Sequence, residues 1–235
     1  MLNADDAAVI QLAGDAPGTR YHFSLDREVS RGAFLRGDTL VLASEGTAEP
    51  LLARDELPLL GRHNVSNALA ASAAAHAATG KPARAFTDGL RTARALAHRL
   101  EPVVEKGGVL WVNDSKATNV AAARSALGSL ARPLVLLLGG KDKGEDFAEL
   151  ASAFEGKVRH VIAYGAAGAR IAAELAGAAP LTRVQGSFED VVREASRHAR
   201  PGDVVLLSPA CSSFDMFQNY ERRGEAFSRL ARELA

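Results

Sequence analysis

The 235-residue chain is predicted to be an α/β protein whose second part is built on a mainly parallel sheet. Three observations carry that expectation. Runs dominated by apolar residues at 109–112, 134–138, 158–163 and 204–207 read as strands buried on both faces. Helical patterns separate them, at 120–130, 147–154, 167–175 and 188–198, which is the rhythm of βαβ units. The length is roughly one and a half times that of a domain of about 150 residues, so one α/β domain accounts for only part of the chain.

The elements follow in order. Residues 8–13, 21–25 and 33–43 read as short strands, set off by turn signals at 14–15, 17–18 and 37–38. Residues 64–78 are rich in alanine, lack Gly and Pro and end before Gly80; they predict a helix that is apolar nearly all round and therefore buried. A second helix is expected over 83–95, after Pro82. The rhythm changes near Leu100, which sets the expected boundary between residues 1–99 and 100–235. Beyond it the strands and helices named above alternate, with a weaker strand at 181–184 and a closing helix over 214–234.

Composition narrows the function. Lys plus Arg and Asp plus Glu both number 28, and the zero net charge argues against a non-specific nucleic-acid binder or a polybasic membrane-surface protein. A single cysteine excludes an intrachain disulfide framework and any multi-cysteine metal site. No apolar run reaches about 18 residues, and no basic-then-apolar leader pattern opens the chain, so a cytoplasmic protein is expected.

A parallel sheet binds ligands outside the carboxyl ends of its strands. Three expected strands are followed there by polar segments: Asn113-Asp114-Ser115-Lys116-Ala117-Thr118-Asn119, Gly139-Gly140-Lys141-Asp142-Lys143-Gly144, and Ser208-Pro209-Ala210-Cys211-Ser212-Ser213-Phe214-Asp215. Together they offer lysines, hydroxyls and N–H groups at helix starts, a set suited to a phosphate or carboxylate. Each segment read alone has a plainer meaning. Asn, Asp, Ser and Thr at 113–119 are good helix caps. The 139–144 loop departs from the G-x-G-x-x-G pattern of nicotinamide-binding oxidoreductases, and the chain carries no G-x-x-x-x-G-K-[ST] phosphate loop. Cys211 reads as a small buried residue beside the last strand, and none of the histidines forms a paired metal motif. Read alone, His63 and His98 are ordinary structural residues and Arg99 a surface cation.

The ordered series is far more specific. Gly61-Arg62-His63-Asn64-Val65-Ser66-Asn67, His98-Arg99-Leu100-Glu101, the three loops above and Asn219-Tyr220-Glu221-Arg222-Arg223-Gly224-Glu225 resemble the Mur ligase family. Within it, the N-D-S-K-A-T-N and S-P-A-C-x-S-x-D-x-F segments are similar to those of the D-glutamate-adding members. The resemblance implies ATP-driven amide formation through an acyl phosphate, with UDP-N-acetylmuramoyl-L-alanine, D-glutamate and ATP as substrates, Mg²⁺ as the metal and a monomeric enzyme. It implies that residues 100–235 are a Rossmann-like domain, preceded in 1–99 by the C-terminal half of an α/β ATP-binding central domain.

Carried over residue by residue, it places Asn64 and Asn67 on the nucleotide, Arg99 on ATP phosphate and Asp114 on the ribose. Lys116 and Thr118 meet the transferred phosphate and the incoming amino acid. Lys143, Ser213 and Phe214 hold the D-glutamate carboxylates, and Tyr220 walls the pocket. The family's phosphate loop, UDP-binding domain and metal ligands have no counterpart in these residues, which implies that this chain is inactive alone. A sister ligase with another amino acid, and a non-catalytic binding remnant, are the alternatives.

Overall fold

The computed structural model describes residues 1–14, 16–44, 46–154 and 156–234. The second residue of the turn expected at 14–15 lies outside the described residues. The chain divides into two compact units, Met1–Arg94 and Ala95–Ala235.

The first unit carries β1 (Leu2–Asn3), α1 (Ala7–Leu12), β2 (His22–Ser24), β3 (Gly32–Arg36), β4 (Thr39–Ser44), β5 (Thr47–Ala53), α2 (Arg62–Thr79) and α3 (Arg84–Arg91). Its strands lie in sequence order, β1, β2 and β3 parallel and β4 and β5 antiparallel. The expected strand at 8–13 is instead a helix. Six apolar-rich residues are too few for periodicity to decide between the two, and the decision falls to Asp6, whose carboxylate accepts from the N–H groups of Ala8 (2.9 Å) and Val9 (3.1 Å).

The expected strand at 33–43 is two strands joined at the turn expected at Gly37–Asp38, where Gly37 takes φ +56°. Helix α2 packs on β2, β3 and β4, with Val65, Leu69 and Ala73 closing a core against Leu40, Leu42 and Leu52. It is buried on that face only; Ala71, Ala74, Ala77 and Ala78 are exposed. Alanine is tolerated on either side of a helix, so its abundance did not mark the buried face. Helix α3 ends at Arg91, short of the expected 95.

The second unit contains β6 (Glu101–Lys106), β7 (Val109–Asn113), α4 (Val120–Ser129), β8 (Leu134–Gly139), a 3₁₀ helix (Phe147–Ala153), β9 (Val158–Tyr164), α5 (Gly168–Glu174), β10 (Leu181–Arg183), α6 (Phe188–His198), β11 (Val204–Leu207) and α7 (Tyr220–Leu234). Its sheet runs β10-β9-β8-β11-β7-β6, parallel throughout except for the β6–β7 hairpin. The expected α/β class with a mainly parallel sheet is what the chain adopts.

Handedness distributes the helices. From β7 through β8 and β9 to β10 the chain steps one way across the sheet, so right-handed crossovers put α4, the 3₁₀ segment and α5 on one face. The return from β10 to β11 reverses direction and puts α6, with α7 packed on it, on the other. The reversal opens a crevice at the carboxyl ends of β7, β11 and β8. Strand β8 is completely buried, and Trp111, Leu137, Ile162, Val192, Leu207 and Phe227 centre the core beneath that edge. Two readings shift: 147–153 is 3₁₀ rather than α, and α7 begins at Tyr220 rather than 214, because the Asn219 carboxamide caps it through the Arg222 N–H (2.8 Å).

Candidate active site at the carboxyl edge of the parallel sheet

The loops after β7, β8 and β11 meet at this edge and are bonded to one another. Asp114, just past β7, is buried, at 8% exposure. One carboxyl oxygen accepts from the Leu100 N–H (3.2 Å) and the other from the Ser208 hydroxyl (2.8 Å). Burial pushes this carboxyl up to about 6, although those two bonds and the charge of Arg99 pull the other way. Its neighbour Asn113 is fully buried; the carboxamide nitrogen donates to the Gly224 carbonyl (3.2 Å) and the Ser228 hydroxyl (3.1 Å) and faces His98 Nδ1 at 3.0 Å.

Backbone strain gathers at the same place. Among the described residues the non-glycines with positive φ are His98 (+64°), Leu100 (+43°) and Ala210 (+55°). The first two shape the turn whose His98 carbonyl accepts from Lys116 N–H (3.1 Å) and whose Leu100 N–H reaches Asp114. The third lies in the loop after β11. Such conformations cost on the order of 1–3 kcal/mol each and persist where the surroundings over-determine them, which marks this edge as a built site.

Arg223 was not singled out from sequence, and it is the largest polar side chain in the edge. It is 1% exposed and bonds only neutral oxygens: Ser115 Oγ (3.0 Å) and carbonyl (2.9 Å), and the Cys211 carbonyl (3.1 and 3.0 Å), with the Gly139 carbonyl at 3.5 Å. One guanidinium therefore ties all three loops. The signal was present: the buried positions of α7 are Arg223, Gly224, Phe227, Leu230 and Ala231, so Arg223 lies in phase with the apolar stripe. Cys211 is buried against it, and burial pushes its thiol up to about 12, so it is no nucleophile at neutral pH.

The remaining expected residues line the rim. The Lys116 ammonium lies 4.8 Å above the Tyr220 ring and donates to its hydroxyl (3.2 Å), while the ring meets His98 edge-on at 5.9 Å. Thr118 is half-buried in the turn before α4. The first turn of α4 is satisfied from within the chain at two N–H groups, Val120 by Glu145 Oε2 (2.7 Å) and Ala122 by Asn119 Oδ1 (2.8 Å). Those two donors are not free for an anion, contrary to the reading of helix starts as open anion sites.

Lys143 is exposed at the tip of the loop after β8. That loop is clamped to the loop after β11 by paired backbone bonds between Lys141 and Ser212 (2.9 and 3.1 Å), which sets the Lys143 loop beside buried Ser213 and the 68%-exposed ring of Phe214. Arg99 is exposed next to Asp114. Asn64 and Asn67 belong to the first unit, where they are bonded to each other at 3.4 Å near the start of α2 and Asn64 also donates to the Leu60 carbonyl (2.8 Å). Among the described residues no group of three or more His, Cys, Asp and Glu side chains converges as a metal site, and no helix is long and apolar enough to cross a membrane.

Residues 98–211 match the family described as Mur ligase, glutamate ligase domain. The UDP-N-acetylmuramoylalanine–D-glutamate ligase of Acidobacterium capsulatum is 47% identical over 98% of this chain and 50% of its own length. The protein of the same name from Salinibacter ruber is 45% identical over 100% of this chain and 52% of its own length. The chain belongs to the Mur ligase family. It spans about half the length of the curated Mur ligases it matches. Among solved structures, Escherichia coli FolC in complex with DHPP and ADP superposes with a TM-score of 0.65 at 15% identity, over 97% of this chain and 51% of that one. MurF from Acinetobacter baumannii gives 0.62 at 20% identity, over 99% and 51%. Likeness at those identities establishes the Mur ligase fold and nothing finer.

Proposed function

We propose that this chain is half of an ATP-dependent ligase that joins D-glutamate to UDP-N-acetylmuramoyl-L-alanine in cytoplasmic peptidoglycan precursor synthesis. One observation carries the reading: 47% identity to a protein of that name runs across 98% of the chain, not through one motif. The site geometry is consistent with it. Residues 100–235 supply the amino-acid contacts and part of the nucleotide contacts. Residues 1–99 are the C-terminal half of an ATP-binding central domain, with Asn64 and Asn67 on the nucleotide. Mg²⁺ accompanies ATP, and no residue of this chain is assigned to it. The intact enzyme is a monomer.

The chemistry needs an alanyl carboxylate to attack the γ-phosphorus of ATP, releasing ADP and forming an acyl phosphate. The D-glutamate amine then attacks the acyl carbon, inorganic phosphate leaves, and the amine loses a proton. Both steps build negative charge on phosphoryl and acyl oxygens, which a fixed cation stabilises. Lys116, held by Tyr220, is the cation assigned to that task, with the Thr118 hydroxyl beside it. D-Glutamate brings two carboxylates, and Lys143, the Ser213 hydroxyl and the N–H groups of Ser213 and Phe214 are assigned to them. Arg99 serves the ATP phosphates and Asp114 the ribose. Asp114 already accepts two internal bonds, so its remaining lone pairs take the ribose hydroxyls.

Steady-state kinetics on the full-length ligase carrying this sequence test the assignment. Lys143→Ala raises the KM for D-glutamate by about tenfold or more, the loss of one charge-assisted contact, and leaves the KM for ATP within about twofold. Equal effects on both substrates, or none, refute it.

A further inference from the structure

The loop that carries Lys143 is braced far beyond what a surface turn requires, and one residue outside it supplies bonds to both flanks of that lysine. Arg170, on α5, donates through Nη1 to Asp142 Oδ1 (3.1 Å) and through Nη2 to the Glu145 carbonyl (2.6 Å). Its Nε bonds Glu174, whose other oxygen accepts from the Phe147 N–H (2.8 Å), and its guanidinium lies 5.2 Å above the Phe147 ring. Asp142 Oδ1 also accepts from the Gly144 N–H (2.8 Å), and the Glu145 carboxylate is drawn away to the Val120 N–H at the start of α4 (2.7 Å).

Both flanks of Lys143 are thus pinned, and the three carboxylates of its loop all have partners, Asp146 accepting from the Ala148 N–H (2.9 Å). The Lys143 ammonium makes no hydrogen bond or ion pair with the described residues. A loop of sequence Lys-Asp-Lys-Gly-Glu-Asp, left loose, has every reason to neutralise its own cations. The exposed carboxylates would fold onto the lysine at little cost.

The geometry points to Arg170 and Glu145 as positioning residues for Lys143: they fix its loop and sequester the carboxylates that would otherwise quench its ammonium, leaving that cation free for a substrate carboxylate. This rests on the assignment of Lys143 to D-glutamate. Neither residue touches the substrate in this account. Arg170 acts through Asp142 and the Glu145 carbonyl, and Glu145 acts through its tie to α4, which also fixes the spacing between the Lys143 and Thr118 loops.

The test is kinetic, on the full-length ligase, with D-glutamate varied at saturating ATP and UDP-N-acetylmuramoyl-L-alanine. Arg170→Ala is expected to raise the KM for D-glutamate about tenfold, with the KM for ATP unchanged within about twofold. Arg170→Lys recovers part of that loss. Adding Asp142→Asn to Arg170→Ala restores it further, because the quenching carboxylate is gone; a merely structural role for Arg170 predicts no such rescue. Glu145→Ala, which breaks a different bond, raises the same KM and so covers the case in which Arg170→Ala fails to fold. In amide exchange, Arg170→Ala speeds residues 141–147 while β8 stays protected. Should Lys143→Ala raise the KM for D-glutamate while Arg170→Ala and Glu145→Ala leave it within about twofold, the positioning role is wrong and the functional reading survives. Should Lys143→Ala itself have no effect, the functional reading fails and this inference goes with it.

Discussion

Replacing Asp114 by Asn turns the most perturbed carboxyl of the site into a measurable pH dependence. In the folded chain burial raises this group from 3.8 to about 6. A raised acid favours the folded state only while it holds its proton. The contribution is therefore complete below about pH 4, falls as pH rises through about 6, and is gone near neutrality. A displacement of that size corresponds to about 3 kcal/mol across the whole window, of which about 2 kcal/mol falls between pH 4.5 and 8. Asparagine does not titrate and keeps an acceptor for the Leu100 N–H and a donor for Ser208.

The stability of Asp114→Asn minus that of the unaltered chain should accordingly rise by about 2 kcal/mol between pH 4.5 and 8. Trp111 supplies the assay. It is the chain's single tryptophan and is 1% exposed in the core of the second unit, three residues before Asp114. Denaturant unfolding followed by its fluorescence therefore reports on that unit without contribution from the first. A difference that stays constant with pH would refute the reasoning, since it would mean Asp114 is already ionised throughout, and a fall with pH would mean the carboxylate is stabilised rather than desolvated.

Three further outcomes follow from the packing of the same edge. Arg223→Met removes the donor shared by the Ser115 and Cys211 carbonyls, and the unfolding free energy read by Trp111 should fall by about 3 kcal/mol or more; a loss under about 1 kcal/mol would show that water replaces the guanidinium. At Gly224 a Cβ would run into His98 Nδ1 and stand 3.0 Å from Asn113 Nδ2. Gly224→Ala is therefore destabilising by about 1–3 kcal/mol, although alanine favours a helix, and a rise in Tm would contradict the packing. Cys211 should resist alkylation at pH 8 in the folded chain and react fully in denaturant, as its buried thiol stays protonated; rapid labelling of the native protein would show that the loop after β11 opens.

The parallel domain was legible because its strands are long, apolar and separated by periodic helices, and the switch point followed from their order. Two of the strands that escaped notice, β5 and β6, have a common cause. Both β5 and β6 carry a proline, Pro50 and Pro102, and both pair with their neighbours through a register shift. Proline is at home on a sheet edge and breaks the alternation that identifies a strand. Helix α1 was misread because one capping aspartate, not periodicity, decides its form.

At the carboxyl edge of the parallel sheet, the segments at 113–119, 139–144 and 208–215 could be placed together because each follows a strand. The residues that hold those segments could not. Arg223 is one of two adjacent arginines, distinguished only by helical phase. Arg170 and Glu145 act across 25 residues of chain through a carbonyl and a helix N–H, contacts that leave no local pattern. What a sequence shows poorly is the internal occupant of a donor, such as Glu145 at the start of α4.

The most direct test of the account is the amino-acid dependence of ADP release by the full-length protein carrying this sequence, in the presence of ATP, Mg²⁺ and UDP-N-acetylmuramoyl-L-alanine. The account predicts release that requires D-glutamate and is not supported by L-glutamate or L-alanine. Release driven by L-alanine or L-glutamate, or none with any of the three, would contradict it.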